Sequence, residues 1–264
     1  MKIGVTAIRG KMSRTIATLI LQDPIAELGG GLARVGSNVV GDDLGEFLGF
    51  GKNNIEITDN IDNFTKSCDA IIDFSTPALS LEIAKKCAEH NKILVCGTTG
   101  FDENEKQQFA KYAQNCVIIW SSNMSVGVNL LFNLVEKVAS TLHDDFDIEI
   151  VEMHHKNKVD SPSGTALSLG AAAAKGRGID LEENARMHRV GKDLSREKNE
   201  IGFAVLRGGD VVGDHSVIFA GQGERVELTH KASNRDIFAK GAIRAAIWGT
   251  AKKAGFYSMR DVLS

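Results

Sequence analysis

The chain has 264 residues, enough for one large or two small domains, each with a hydrophobic core. Its 31 basic and 34 acidic residues give a formal net charge of −3, so the charge balance indicates neither nucleic acid nor a membrane surface as a partner. No apolar run reaches about 18 residues and no charged-then-apolar leader follows Met1, so we expect no membrane span and a cytoplasmic protein.

The cysteines are dispersed and form no C-x-x-C pair, which argues against a metal knuckle or a redox pair. We therefore expect no metal site. Reduced, partly buried thiols are the simplest interpretation. The four positions are Cys68, Cys87, Cys96 and Cys116.

In the first half, short apolar runs alternate with amphipathic helical patterns, which is typical of parallel β-α-β units. Helices are predicted over 12–21 and from Thr76-Pro77 to about Asn91. The predicted strands are residues 2–7, 26–34, 70–74, 93–96 and 117–120.

The pattern changes after a long helix predicted over 126–142. An alternating segment, 147–154, precedes a highly charged stretch, 180–200, that we expect to be exposed. A last helix, 237–254, returns to the style of the first half. Glycine turns separate further strands at residues 201–206, 216–220 and 225–230.

The sequence therefore predicts two domains of different class. Residues 1–125 with 235–264 are predicted to form an α/β Rossmann-type nucleotide domain. Residues 126–234 are predicted to form an α+β domain with a mixed sheet.

The loop after the first strand is a damaged dinucleotide motif. Where G-x-x-G-x-x-G is expected, only Gly10 is a glycine, and Ala7 and Ser13 stand at the other two places. Such small residues could preserve the close backbone approach to pyrophosphate if φ stays negative. One glycine is also ordinary in any strand-to-helix turn, so this motif alone is weak.

The end of the second predicted strand bears on cofactor choice. A site that prefers NAD places a carboxylate about here for the ribose hydroxyls, whereas an arginine favours the 2′-phosphate of NADP. The chain has Ala33 and then Arg34. A surface charge at a strand end is the competing interpretation of Arg34.

The segment Glu152–Thr165 reads E-M-H-H-K-N-K-V-D-S-P-S-G-T. His154, His155 and Lys158 precede a predicted helix mouth that opens at Ser163. Cations or proton carriers beside helix N–H groups suit a small dicarboxylate that must receive a proton. A solvated basic loop before a capped helix is the alternative.

Motifs spread over the chain make it similar to the 4-hydroxy-tetrahydrodipicolinate reductase (dihydrodipicolinate reductase) family nearly end to end. They include G-T-T-G-F from Gly97, S-N-M-S-V-G-V-N from Ser122, H-H-K-N-K-V-D-S-P-S-G-T from His154, R-G-G-D-V-V-G-D-H from Arg207 and G-E-R-V-E-L-T-H-K-A from Gly223. The chain departs from the family's pattern at Ala7, Ser13 and Ala33. All three lie in the predicted nucleotide site, so they bear on cofactor affinity and preference more than on the reaction.

The resemblance implies NAD(P)H-dependent reduction of 4-hydroxy-tetrahydrodipicolinate to tetrahydrodipicolinate, in diaminopimelate and lysine biosynthesis. It implies a homotetramer formed through the second domain, which also binds the dicarboxylate substrate. We expect NADPH to be the preferred cofactor, because Ala33 lacks the carboxylate, and NADH is the other option.

The resemblance also assigns roles to individual residues. His154 matches the acid/base residue and Lys158 the proton donor, which nearby cationic groups would assist. The substrate contacts are His155, Ser163, Gly164 and Thr165. The cofactor contacts are Ala7, Ile8, Arg9, Gly10, Lys11, Met12, Arg34, Gly97, Thr98, Thr99, Ser121, Ser122, Asn123 and Met124.

Two other functions remain open at this stage. Another Rossmann-type amino-acid dehydrogenase would share the nucleotide half without needing H-H-x-x-K followed by S-G-T. A non-catalytic NADP(H)-sensing regulator would tolerate the eroded glycine loop without needing both His154 and Lys158. Two further histidines, His215 and His230, lie in strand-like segments, and we expect a structural role for both.

Overall fold

The structure is a computed structural model that describes residues 1–264. It divides into two compact units, the first formed by Met1–Val126 with Asp236–Ser264 and the second by Gly127–Arg235. The predicted division placed its boundaries after residues 125 and 234. None of the helices has the length and apolar character needed to span a bilayer.

A seven-stranded parallel sheet forms the centre of the first unit. Its central strands are short apolar runs that are largely buried on both faces, as parallel strands covered by helices require. The spatial order is β12-β6-β5-β4-β1-β2-β3. The strands are β1 (Lys2–Val5), β2 (Glu27–Leu32), β3 (Ile57–Thr58), β4 (Ala70–Asp73), β5 (Ile93–Cys96), β6 (Val117–Trp120) and β12 (Gly255–Tyr257).

Helices cover both faces of this sheet, and each face has its own apolar cluster. One cluster packs the sheet against the first and last long helices, and the other packs it against the helices that follow β3, β4 and β5. The Rossmann-type class predicted for this part of the chain is confirmed. The helices are α1 (Lys11–Leu21), α2 (Leu44–Leu48), α3 (Ile61–Ser67), α4 (Pro77–His90), α5 (Glu103–Tyr112), α9 (Asp236–Gly249) and α10 (Met259–Val262).

The second unit has a five-stranded sheet in the order β11-β10-β7-β9-β8. β7 and β8 pair in parallel with β9, whereas β10 is antiparallel to both β7 and β11, so the predicted mixed sheet is confirmed. Its strands are β7 (Asp147–His154), β8 (Ala185–Arg186), β9 (Ile201–Arg207), β10 (Gly213–Ala220) and β11 (Arg225–Ala232). Its helices are α6 (Val126–Leu142), α7 (Gly164–Arg177) and α8 (Leu181–Asn184).

Several predicted bounds are wrong. β1 ends at Val5 rather than at residue 7, because the chain turns at Thr6 to enter the loop before α1. The last helix ends at Gly249 rather than at residue 254, and the chain then turns into β12.

Two expectations about exposure also differ from the structure. The stretch 180–200 is not uniformly exposed, since it contributes α8 and β8 and buries Glu200 among arginines. All four cysteines are free and fully buried, more so than expected.

Candidate functional site

The loop between β1 and α1 has one strained residue. Ala7 has φ +48°, a left-handed conformation that costs an alanine about 1 kcal/mol. The carbonyl of Ala7 accepts a 2.7 Å hydrogen bond from the N–H of Gly10, which closes the turn. The condition that φ stay negative therefore fails at Ala7, and the loop keeps a backbone shape that glycine would adopt without strain.

The N-terminus of α1 is built to face an anion. Gly10 is the N-cap, has an extended backbone, and supplies no capping side chain. The first turn holds no acidic residue and begins with Lys11, so its N–H groups and positive dipole end have no internal counter-charge. A Cβ on Gly10 would lie 3.1 Å from the Ala7 carbonyl oxygen, so a side chain there would crowd the turn.

A cleft of about 570 Å³ adjoins this loop. Buried Ala33 and exposed Arg34 line it together with Arg9. The cleft lies at the carboxyl ends of β1 and β2, where doubly wound sheets bind nucleotides. Cationic side chains, an uncapped helix end and a cleft of this size fit a nicotinamide dinucleotide with its phosphates. Its lining residues are Ala7, Arg9, Gly10, Ala33, Arg34, Gly36, Ser37 and Asn38.

A buried carboxylate joins the loops at the ends of three neighbouring strands. Asp73, the last residue of β4, has no exposed surface. It accepts hydrogen bonds from Thr6 Oγ1 at 2.5 Å and from Thr98 Oγ1 at 3.1 Å. The hydroxyls of Ser75 and Ser80 and the thiol of Cys96 complete its set of donors. Asp73 thus fixes the loop after β1 and the Gly97–Thr99 loop after β5.

The segment Ser121–Met124 lies beside that second loop. The N–H of Ser121 donates to the Cys96 carbonyl, and Nε1 of Trp120 donates to the Thr98 carbonyl at 3.0 Å. Met124 is buried and packs in the hydrophobic core of the unit. The predicted nicotinamide-side positions are therefore neighbours in space.

In the second unit, β7 places two polar side chains on its buried face. Glu152 and His154 are two residues apart, so both point to the same side of the sheet. His154 Nδ1 lies 2.5 Å from Glu152 Oε2. Burial lowers the pKa of His154, and the Glu152 carboxylate opposes that effect.

A tight turn follows β7 and carries the predicted proton donor. The N–H of Lys158 donates to the His155 carbonyl at 3.1 Å, and the N–H of His155 donates to the Val211 carbonyl at 2.7 Å. Lys158 Nζ forms an ion pair with Asp160 at 2.8 Å. This acidic contact was not among the expectations, which placed only cations around Lys158.

The mouth of α7 adjoins this turn. Ser163 is the N-cap: its Oγ accepts from the N–H of Ala166 at 3.2 Å, and its own N–H donates to Glu152 at 3.0 Å. Gly164 is exposed and Thr165 half-buried at the first two helical positions, where N–H groups point out of the helix end. Ser163 is buried by contrast, so its side chain serves the protein's own hydrogen bonds first.

His215 is a buried neighbour of this cluster. Its Nε2 lies 3.1 Å from Ser163 Oγ, and its ring meets that of His154 edge-on at 5.1 Å. Burial, aided by the positive charge that His154 can take, lowers the pKa of His215 to about 4. His215 is therefore a neutral packing residue at ordinary pH. His230 is the register partner of His215 on the neighbouring strand β11.

Three residues at these sites were not singled out from the sequence. Asp73 ends an otherwise apolar strand, and Glu152 lies two residues before His154, on the same face of an alternating strand. An acidic residue at a position predicted to be buried was the available sequence signal for both. Arg207, at the end of β9, donates through both terminal nitrogens to Glu152 at 2.9 and 3.1 Å. Nothing in its local sequence marks that long-range contact.

The models of two protein families match the chain. "Dihydrodipicolinate reductase, N-terminus" matches residues 1–124, and "Dihydrodipicolinate reductase, C-terminus" matches residues 127–263. Together they span nearly the whole sequence, so they cover both sites.

Curated relatives named 4-hydroxy-tetrahydrodipicolinate reductase match over the full length. The chain is 46% identical to that of Chromohalobacter salexigens, with 99% of this chain and 98% of the relative covered. It is 47% identical to that of Methylocella silvestris, with coverage of 100% and 97%.

Solved structures show the same fold. Dipicolinate-bound dihydrodipicolinate reductase from Paenisporosarcina sp. TG-14 matches with a TM-score of 0.78 at 24% identity, covering 98% of this chain and 97% of that one. An amine dehydrogenase from Mycobacterium smegmatis matches at 0.65 and 11% identity, with coverage of 98% and 95%. At these identities the likeness concerns the fold alone.

Proposed function

Because this chain belongs to the dihydrodipicolinate reductase family, we propose that it reduces 4-hydroxy-tetrahydrodipicolinate to tetrahydrodipicolinate with NAD(P)H. This reaction serves diaminopimelate and lysine biosynthesis, and we place it in the cytoplasm. The observation that carries the proposal is the cluster of His154, Lys158 and the mouth of α7, which offers proton carriers and an anion-binding helix end in one unit.

The substrate half of the reaction falls to the second unit. Backbone N–H groups of Gly164 and Thr165 hold one substrate carboxylate at the positive end of α7. His155 supplies a further contact to the anion. Lys158 delivers a proton to the carbon that becomes nucleophilic on reduction, and His154 acts as the acid/base residue beside it.

The cofactor half falls to the first unit. A bound nicotinamide cofactor supplies the hydride. The residues that would hold its phosphates surround the mouth of α1 and include Ile8, Arg9, Gly10, Lys11 and Met12. The residues proposed for the nicotinamide side are Gly97, Thr98, Thr99, Ser121, Ser122, Asn123 and Met124.

The reaction is tested by supplying the imine substrate from dihydrodipicolinate synthase and its own substrates, and following NADPH absorbance. Oxidation that requires both enzymes supports the proposal. Tight NADPH binding without any oxidation would refute it and would favour the non-catalytic NADP(H)-sensing regulator. Oxidation of an amino-acid product with NADP⁺, but no imine reduction, would favour another amino-acid dehydrogenase.

The preferred cofactor is NADPH. The cleft at the end of β2 presents Ala33 and Arg34 where a site that prefers NADH would present a carboxylate. Arg34→Gln should lower kcat/KM for NADPH by about tenfold and leave that for NADH nearly unchanged, the size expected for one exposed phosphate contact. A higher kcat/KM with NADH in the unaltered protein would contradict this preference.

The assembly is a homotetramer formed through the second unit. One face of its sheet packs on α6 and α7, while the opposite face presents half-exposed apolar side chains. They are Val151, Met153, Leu206 and Ile218. Apolar side chains that are partly exposed on one face of a sheet support an interface between copies. Light scattering during size-exclusion chromatography should give four chain masses, and a monomer mass would contradict the assignment.

A further inference from the structure

We propose that Glu152 is a positioning residue, which holds the His154 imidazole in the tautomer protonated on Nδ1 and fixes the mouth of α7 through the same carboxylate. The proposal rests on the proposed function for its kinetic consequences, but the tautomer itself can be observed without turnover. It adds a residue to the site, since Glu152 is almost fully buried and acts through His154 rather than on the substrate itself.

The Glu152 carboxylate makes four contacts with three residues from three segments of the chain. Its exposed fraction is 1%. Oε2 contacts His154 Nδ1 at 2.5 Å and Arg207 Nη1 at 2.9 Å. Oε1 accepts from the N–H of Ser163 at 3.0 Å and from Arg207 Nη2 at 3.1 Å. One side chain thus links the acid/base residue to the helix end that faces the substrate carboxylate.

Arg207 locks this carboxylate in place. Its two terminal nitrogens grip both oxygens in the bidentate geometry that a planar guanidinium favours. Nη2 also donates to the Asp160 carbonyl at 2.7 Å, and the Asp160 side chain pairs with Lys158. The same arginine therefore connects Glu152 to the turn that carries the proposed proton donor.

The charges around His154 require an ionised Glu152. Burial alone would raise the pKa of Glu152, but Arg207, His154 and the Ser163 N–H hold that pKa below its usual value. The charged groups that act on His154 are Glu152, Lys158 and Arg207, and His215 packs against its ring. Among these groups Glu152 is the sole anion, so it alone favours the imidazolium form.

An anion at Nδ1 also decides which nitrogen does chemistry. A carboxylate accepts hydrogen bonds and cannot donate one, so Nδ1 carries the proton and Nε2 keeps its lone pair in the neutral ring. Room is left beside that nitrogen, because a Cβ on Gly213 would lie 3.0 Å from Nε2. Nε2 thus packs beside a residue without a side chain, and because Glu152 engages Nδ1, Nε2 is the ring nitrogen left to react.

The test compares Glu152→Gln with Glu149→Gln. Both substitutions remove a carboxylate from β7 that is paired with arginine, but Glu149 points to the opposite face and contacts Arg189 and Arg196. In Glu152→Gln, kcat should fall at least about tenfold and up to about 10⁴-fold, because the group that orients the reactive histidine is lost. In Glu149→Gln, kcat should change less than about twofold.

Two further readouts separate positioning from a merely structural role. The limb of the kcat/KM profile that belongs to His154 should move to lower pH in Glu152→Gln, since the anion that raises the pKa of His154 is lost. In ¹⁵N spectra of the unaltered protein, His154, assigned by its absence in His154→Ala, should show protonated Nδ1 and unprotonated Nε2. Glu152→Gln should mix the two tautomers.

A predominantly Nε2-protonated His154 in the unaltered protein would overturn the proposal, even if Glu152→Gln failed to fold. So would a folded Glu152→Gln with an unmoved pH profile and unchanged kcat. Absence of imine reduction in the unaltered protein would instead refute the proposed function, because the tautomer measurement does not depend on turnover.

Discussion

Asp73 in the first unit and Glu152 in the second are both buried carboxylates, with 0% and 1% of their surfaces exposed, yet their partners differ in kind. Asp73 collects neutral donors, four hydroxyls and a thiol. Glu152 accepts a bidentate pair of hydrogen bonds from Arg207 and contacts His154. Neutral donors fix the shape of the loops that carry them. A carboxylate beside a titratable group also changes the pKa of that group, so only the Glu152 arrangement can adjust proton transfer.

The largest effect expected from this comparison concerns catalysis. Lys158→Met or His154→Ala should lower kcat by about 10²- to 10⁴-fold while leaving the fold intact, because each removes a proton-transfer group from the second unit. Steady-state kinetics measure this loss. Lys156→Met is the matched control, since Lys156 is exposed in the same turn and has no assigned role. Near-normal kcat in either site variant would remove that residue from the mechanism.

The next effect concerns acid stability. Because the pKa of His215 is about 4 in the folded protein and about 6.5 in the unfolded chain, its contribution is complete above pH 6.5 and is lost as pH falls towards 4. The loss amounts to up to about 3 kcal/mol.

Urea denaturation at several pH values measures this slope. His215→Gln, which keeps a hydrogen-bonding group for Ser163, should flatten the slope between pH 6.5 and 4, while His188→Gln at an exposed position of the same unit should not. Equal slopes in the two variants would show that the acid sensitivity of the second unit arises elsewhere.

The smallest effect concerns the strained loop of the first unit. Ala7→Gly should stabilise the protein by about 0.5–1 kcal/mol, because glycine adopts the +48° φ of this position without the Cβ clash. Thermal denaturation measures the shift. Ala88→Gly, inside α4, should have the opposite sign, a loss of about 1 kcal/mol. A destabilised Ala7→Gly protein would mean that the turn does not strain Ala7.

The sequence predicted the architecture well where periodicity was strong. The long helices and the apolar strands that alternate with them were recognisable, and so were the two fold classes. Short elements were missed, because the two residues of β3 and the three of β12 are too few to show a period. The α5 helix buries only Phe109, but its capping box at Asp102 and Glu105 was a usable signal.

The candidate site divides in the same way. Residues named by contiguous motifs, such as His154 and Lys158, could be listed from the sequence together with Gly10 and Arg34. Contacts that join distant segments could not, since Arg207 lies 55 residues from Glu152 along the chain. The left-handed φ of Ala7 was also hidden, because only the folded turn imposes it.

Calorimetric titration with NADPH tests most directly whether Asp73 serves cofactor binding and Glu152 serves proton transfer. In Asp73→Asn, the amide cannot accept from all the hydroxyls that the carboxylate holds, so the loops at Thr6 and Thr98 should loosen and the NADPH Kd should rise about tenfold. In Glu152→Gln the Kd should stay within about twofold of the unaltered protein. Normal affinity in Asp73→Asn together with weakened affinity in Glu152→Gln would contradict the division of roles.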